Sequence, residues 1–163
     1  MKGFFAIALA MVAVSPLLAQ HYDHPVAQAQ PARASDEAAV RAVLSQYKDA
    51  IERLDATGTE QLFTAESAIF ETGGAEGTYA QYLAHHLGPE LEEFNSFRFS
   101  NYQANVRFEG SVALATETYD YRIETDAGEV VERRGVATSV LKKEDGAWKI
   151  AIMHNSARRP SPS

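Results

Sequence analysis

The chain has 163 residues, with 22 acidic side chains against 15 basic ones and a formal net charge of -7. This excess of negative charge argues against binding to nucleic acid or to anionic membrane surfaces, because their phosphates would repel it. The absence of cysteine excludes disulfides and thiolate metal sites, so the fold depends on its core alone.

Residues 1–19 have the pattern of a cleavable secretory signal. Lys2 gives a positive start, residues 4–14 form an apolar run, and Pro16 breaks that run shortly before the small residue Ala19. The alternative is a membrane anchor that stays attached, but a run this short does not span a bilayer. We therefore expect a periplasmic or secreted protein. Loss of 19 residues, Lys2 among them, leaves 144 residues with a net charge of -8.

The exported chain is predicted to form one domain between two irregular ends. Residues 20–34 contain two prolines and repeated Ala-Gln, a composition typical of a flexible leader. Residues 35–158 are long enough for one domain with a single core, and residues 159–163 are predicted to be a disordered tail.

The first half of the domain has helical periodicity. A helix of about eighteen residues is predicted to begin at the capping residue Ser35. A short second helix over 57–63 and a short strand over 67–72 follow, and a third helix covers 78–87 before a Gly-Pro pair. The first helix presents one stripe of apolar side chains at spacings of three and four: Val40, Val43, Leu44, Tyr47, Ile51 and Leu54.

The second half has the pattern of long strands. Short turns rich in glycine and acidic residues separate runs over 96–108, 111–125, 129–143 and 147–157, and such turns join hairpins. The predicted class is therefore α+β, with about three N-terminal helices packed on one face of a curved antiparallel sheet.

Three segments of the chain resemble the nuclear transport factor 2-like superfamily, especially its SnoaL-like branch of small bacterial proteins. They are SQYKDAIERLD, LFTAESAIFETGGAEGTYAQYLAHHLGPEL and SVLKKEDGAWKIAIMHNS, and with the strands between them the resemblance covers about residues 36–158. It implies a cone-shaped domain around a mostly apolar pocket, commonly assembled as a homodimer through the outer sheet. Members include isomerases, dehydratases, cyclases and binding domains, so the fold alone does not choose a function.

Tyr47 and Glu71 are the first two candidate catalytic residues. Tyr47 lies in the apolar stripe and must point inward, where its hydroxyl needs a partner or a ligand. The resemblance to ketosteroid isomerase implies an oxyanion donor at Tyr47 and a catalytic carboxylate at Glu71, whose pKa an apolar pocket would raise. The alternatives are a core tyrosine bonded to the backbone and a solvated carboxylate at a strand end.

Two histidines complete the predicted constellation. His86 lies in the middle of an apolar helix face, whereas His85 is rotated by about one hundred degrees toward its edge. His154 follows Trp148, Ile150 and Ile152 in strict alternation, which predicts that it faces inward. The alternative for His154 is a structural hydrogen bond. The resemblance to scytalone dehydratase, which uses histidines with a tyrosine and a carboxylate, makes Tyr47, Glu71, His86 and His154 the catalytic hypothesis.

Other strand residues are harder to place. The isomerase family has an acid as its second oxyanion donor, but the corresponding position here is near Thr138, which weakens that analogy. The residues around Glu117 are about equally apolar on both faces of the strand, so the sequence does not show whether Glu117 points inward or outward. The roles of Arg133 and Arg134 are also left open. Coverage of both faces is what an outer-sheet interface would produce, and it favours a homodimer.

The sequence indicates no cofactor and no structural metal site. The adjacent histidines of the third helix point apart, and metal-binding spacings such as H-x-x-x-H do not occur. His21 and His24, near the new N-terminus, could hold copper or zinc only loosely.

Two functions remain open. One is an exported module that binds a small, largely apolar organic molecule without turnover. The other is a cofactor-independent acid-base enzyme of the isomerase, dehydratase or cyclase type.

Overall fold

The computed structural model describes residues 29–160. The predicted signal, most of the predicted leader and residues 161–163 lie outside this range. No helix within it is long and apolar enough to cross a membrane.

The first helix, α1 (Ala29–Glu52), begins six residues earlier than predicted. The last part of the predicted leader is therefore helical, and Ser35 lies inside the helix instead of capping it. Pro31 does not prevent this, because it lies in the first turn, where no intrahelical hydrogen bond needs its N–H. The predicted apolar stripe is confirmed, since Val40, Leu44 and Ile51 are buried.

The sheet has six strands in the order β2-β1-β6-β5-β4-β3. Each of the four long predicted strands is confirmed to within two residues at its ends. The ranges are β1 (Phe63–Glu71), β2 (Gly74–Gly77), β3 (Phe94–Glu109), β4 (Val112–Thr125), β5 (Val130–Glu144) and β6 (Ala147–Arg158).

The prediction of a purely antiparallel sheet is wrong. β1 pairs with β6 in the parallel direction, while the other neighbours are antiparallel. β2 was not predicted, and it forms a hairpin with β1 around Gly73, whose φ of 81° suits glycine. The sheet is therefore mixed, and bulges interrupt the ladders of several strands.

The prediction of about three N-terminal helices is also wrong, because in the part of the chain that the structure describes only α1 is a full helix ahead of the strands. A 3-10 turn (Thr59–Leu62) replaces the predicted second helix. The predicted third helix comes after β1 and β2, as a helical segment over residues 79–92. It consists of α2 (Tyr79–Tyr82), a π-helical turn (Leu83–Leu87) and α3 (Gly88–Glu92), and it begins at Thr78 with a capping box.

The core lies between α1, the helical segment and the inner face of the sheet. Side chains from all three meet there, among them Leu44, Tyr79 and Ile150. The start of α1 is tied to the β5–β6 hairpin, because the Trp148 indole donates to Asp36 Oδ1 at 3.1 Å. This packing leaves the remainder of the inner face open as a cavity.

Candidate active site

A cavity of about 410 Å³ lies against the inner face of the sheet, between α1 and the helical segment. Its polar groups include Lys48, Glu71, Glu90, Glu117 and Asn155, so an apolar chamber carries several titratable groups. Eight of its lining residues are aromatic: Tyr47, Tyr82, Phe94, Phe97, Phe99, Tyr102, Tyr119 and Tyr121.

Tyr47 lies where the sequence predicts, on the inward stripe of α1 and in the cavity wall. Its ring packs edge-on against Phe63 at 5.3 Å and Tyr79 at 5.9 Å between centroids. Within residues 29–160 no hydrogen bond engages its hydroxyl, and burial raises the pKa of Tyr47 well above its ordinary value. Its hydroxyl is therefore a protonated donor that faces the cavity and is available to a ligand.

Glu71 also lines the cavity, at the end of β1. The Tyr82 hydroxyl donates to its Oε1 at 2.5 Å, and His86 Nε2 lies 3.4 Å from its Oε2. Both carboxylate oxygens are thus oriented by neighbours on the helical segment. The predicted alternative of a solvated strand end does not describe this arrangement, because only 28% of the side chain is exposed.

His86 does not line the cavity but lies directly behind Glu71, among three carboxylates. Its Nδ1 is 3.3 Å from Glu76, and its Nε2 is 3.3 Å from Glu90 as well as 3.4 Å from Glu71. Desolvation pulls the pKa of His86 down, but the negative charges of Glu90, Glu71 and Glu76 outweigh it and raise the pKa above its ordinary value. His86 is therefore protonated more readily than an ordinary histidine. Its contacts with Glu71, Glu76 and Glu90 connect β1, β2 and α3.

A π-helical turn positions His86. Pro89 has no N–H to bond the carbonyl one turn back, and the Gly88 N–H instead reaches the Leu83 carbonyl, five residues earlier. A Cβ on Gly88 would lie 2.6 Å from that carbonyl oxygen, so the close approach requires glycine. The turn ends just before Glu90, and His86 lies between the carboxylates of Glu71 and Glu90.

The inward direction predicted for His154 is wrong. Trp148 and Ile150 are 7% and 0% exposed, but Ile152 is 43% exposed and Met153 only 2%. A bulge between Ile150 and Ile152 inserts one extra residue, since Leu141 pairs with Ile150 whereas Val140 pairs with Ile152.

The bulge places His154 on the outer face, next to Phe70 at 6.4 Å between ring centroids. Thr138, its partner on β5, is exposed on the same face. The cavity is lined instead by Met153 and Asn155 from β6. The four-residue constellation is therefore not assembled as predicted: Tyr47 and Glu71 line the cavity, His86 contacts Glu71 from behind, and His154 lies on the outer face.

Glu117 is the principal residue of the cavity that the sequence did not place. It is 9% exposed, faces inward from β4, and accepts a 2.5 Å hydrogen bond from the Tyr102 hydroxyl. Burial raises the pKa of Glu117 above its ordinary value, although the bond from Tyr102 opposes the shift. Ala115 and Ala113, two and four residues earlier, are fully buried. These small buried residues were the available signal for the inner face of β4.

Gly135 leaves room for an aromatic ring of β4 to lie over the neighbouring strand β5. It pairs with Tyr119, and a Cβ on this glycine would lie 2.2 Å from the tyrosine ring. The ring can therefore lie over the backbone of β5 only because no side chain is present there. Burial raises the pKa of Tyr119 as well, with the charge of Glu117 adding to the effect.

Within residues 29–160 no cluster of three or more histidine, cysteine, aspartate or glutamate side chains has the arrangement of a metal site. His21 and His24 lie outside the described residues. The groups around the cavity are suited to hydrogen bonding and proton transfer.

A family model for the SnoaL-like domain matches residues 40–160. The chain belongs to the SnoaL-like family. The match includes α1 from Val40 onward, the helical segment and all six strands, and so covers every element that forms the cavity. No protein with a curated functional description matches the sequence.

Solved structures with the same SnoaL-like architecture confirm the nuclear transport factor 2-like fold. A superfamily member from Salmonella enterica aligns with a TM-score of 0.67 at 18% identity, over 82% of this chain and 95% of that one. A hexachlorocyclohexane dehydrochlorinase aligns with a TM-score of 0.68 at 11% identity, over 82% and 97%. A Shewanella frigidimarina protein provisionally assigned as a ketosteroid isomerase gives 0.62 at 24% identity, over 72% and 94%.

Proposed function

We propose that this domain binds a small, largely apolar organic molecule in the cavity. The observation that carries the proposal is a chamber of about 410 Å³ with eight aromatic side chains in its wall and the unengaged Tyr47 hydroxyl facing into it. Small-molecule sites have this character, with a few hundred cubic ångströms of mostly apolar space and a few polar groups that orient the ligand.

Filling the cavity is expected to abolish binding. Ala137 lies in the cavity wall, paired with Glu117, so Ala137→Phe adds a ring to the ligand space. We expect calorimetric titration with 2-phenylethanol, 2-naphthol and 4-phenylphenol to detect binding by the unmodified protein. Ala137→Phe should weaken that binding by more than about tenfold, the equivalent of 1.4 kcal/mol.

The matched control for this experiment is Thr118→Phe, which adds the same ring at an exposed position on β4. This variant should bind as the unmodified protein does. The proposal fails when none of the three probes binds to the unmodified chain, or when Ala137→Phe binds them with unchanged affinity.

Acid-base catalysis is the second candidate function, and the environment of Glu71 favours it. A carboxylate oriented by Tyr82 and His86 at the wall of an apolar cavity has the arrangement of a general base. Tyr47 adds a hydroxyl that can donate to an oxygen on which negative charge develops. Two neighbours of the same fold carry enzyme names, the dehydrochlorinase and the provisionally assigned isomerase, which agrees with this candidate.

The homodimer is proposed on the outer face of the sheet. Phe70, Ile152 and Val136 are 38%, 43% and 47% exposed on the adjacent strands β1, β6 and β5, and such a patch is typical of an interface. We expect light scattering to report a dimer at micromolar concentration and Ile152→Glu to shift it to monomer. A monomeric unmodified protein would contradict the proposal.

We propose, from residues 1–19 alone, that the domain works outside the cytoplasm. Cell fractionation with N-terminal sequencing tests this, and an uncleaved cytoplasmic chain would refute it.

A further inference from the structure

Glu117 is a buried carboxylate without a positively charged partner. Only 9% of the residue is exposed, and its hydrogen-bond partner is the neutral hydroxyl of Tyr102. Across the described range 29–160, no lysine, arginine or histidine lies within ion-pair distance of it. Burying a carboxylate in an apolar site is costly unless a positive charge compensates it.

The other charges of the cavity do not compensate Glu117. Lys48 lies in the wall, with its ammonium group 5.8 and 5.9 Å from the ring centroids of Phe99 and Tyr102. That group is bound by Glu52 and Asp49, both at 2.7 Å, and makes no ion pair with Glu117 within residues 29–160. Glu71 and Glu90 share His86, at 3.4 and 3.3 Å. The cavity therefore has an excess of negative charge, which favours a positively charged occupant over an anionic one.

The walls beside Glu117 consist of aromatic rings. The rings of Tyr102 and Tyr119 are 6.3 Å apart and nearly parallel, and Tyr119 meets Phe99 edge-on at 5.1 Å. Phe97 and Tyr121 continue this wall, with their rings stacked at 5.2 Å. Aromatic faces attract ammonium groups, and this attraction grows when water is excluded.

We infer that the ligand of this cavity is an organic cation, an ammonium group on an apolar body, with its charge beside Glu117 and the aromatic wall of Tyr102 and Tyr119. The inference rests on the proposed binding function and specifies its ligand class. The apolar remainder of the ligand would occupy the space toward Phe97 and Tyr121. An ammonium group beside Glu117 would also favour the ionised carboxylate and offset the cost of its burial.

Three probes that share a phenyl ring and differ mainly in charge test the inference: 2-phenylethylamine, 2-phenylethanol and 3-phenylpropanoate. The amine is positively charged at neutral pH, because the pKa of an alkylammonium is about 10, as in lysine. Calorimetric titration at low ionic strength should show the amine binding about tenfold more tightly than the alcohol. The carboxylate should bind most weakly.

The variant Glu117→Gln keeps the size of the side chain and an oxygen that can accept from Tyr102. We expect it to bring the affinities for amine and alcohol to about the same value while binding of the alcohol persists. Glu129→Gln removes the same charge from an exposed hairpin position and should leave the affinity ratio unchanged. Thermal unfolding of both variants checks that the fold is retained.

The outcomes separate the two proposals. Binding of the alcohol with equal or weaker binding of the amine overturns the cation inference and leaves the proposed binding function standing. An amine preference that survives Glu117→Gln also overturns the inference, because the charge would then be recognised elsewhere. Binding of none of the three probes overturns both.

Discussion

Replacing Tyr79 by alanine is expected to destabilise the domain by about 3–5 kcal/mol, the usual cost of truncating a large buried aromatic residue. Tyr79 is 1% exposed, and its ring is stacked on Phe63 with centroids 3.7 Å apart. Its hydroxyl is 2.7 Å from that of Thr59, which joins the helical segment to the turn before β1. Truncation would therefore leave a cavity where three elements meet. Urea unfolding measures the loss of free energy.

Tyr79→Phe is the matched control for this experiment. It keeps the ring and removes only the hydrogen bond to Thr59, so it should cost about 1 kcal/mol. Burial raises the pKa of Tyr79 to about 12, so the hydroxyl stays protonated and this difference should not vary between pH 6 and 8. Equal losses for the alanine and phenylalanine variants would contradict the packing role assigned to the ring.

The elements that the sequence predicts well are those whose pattern is local. The stripe from Val40 to Ile51 repeats with the helical period over three turns, and burial of one helix face is sufficient to produce it. The β5–β6 hairpin has an equally local signal. Asp145 and Gly146 adopt φ values of 51° and 82°, and Asp-Gly is a preferred pair for such a two-residue turn.

The predictions that proved wrong concern pairings between residues that are distant in the sequence. β1 and β6 are separated by the helical segment and four strands, so nothing in the sequence near Ala68 indicates that it will lie beside Ile152. The position of His154 depends on a single bulged residue. Alternation continues through Ile152 in the sequence, but one extra residue exchanges the two faces of the strand.

The same limit explains the incomplete prediction of the site. The place of Tyr47 in the cavity wall could be predicted because helical periodicity fixes its direction, and that of Glu71 because the family resemblance marks its position. His86 lies behind Glu71 instead of in the wall, because a π-helical turn interrupts the periodicity of its helix. Glu117 could not be placed in this way, since its strand carries apolar residues on both its inner and its outer side. Tyr102 becomes significant only through its contact with Glu117. That carboxylates from distant strands line one cavity is thus recognised from tertiary structure.

Glu71→Gln is expected to reduce acid-base catalysis by about 10²–10⁴-fold, the usual contribution of a positioned general base. Exchange of the hydrogens next to the carbonyl of phenylacetone in D₂O, followed by NMR, measures this without knowledge of the natural substrate. Glu71 would take a hydrogen from carbon as a proton, exchange it with solvent and return deuterium to the same carbon. The Tyr47 hydroxyl would donate to the enolate oxygen meanwhile.

Glutamine preserves the size of residue 71 and an oxygen that can accept from Tyr82, so the substitution removes the base with little change in packing. Glu66→Gln is the matched control, because it removes the same charge from an exposed position on the same strand. Exchange no faster than in buffer would eliminate acid-base catalysis on ketones and leave ligand binding as the function of the cavity. Catalysed exchange that survives Glu71→Gln but is lost in Glu117→Gln would instead assign the base to Glu117, where burial raises the pKa of the carboxyl group.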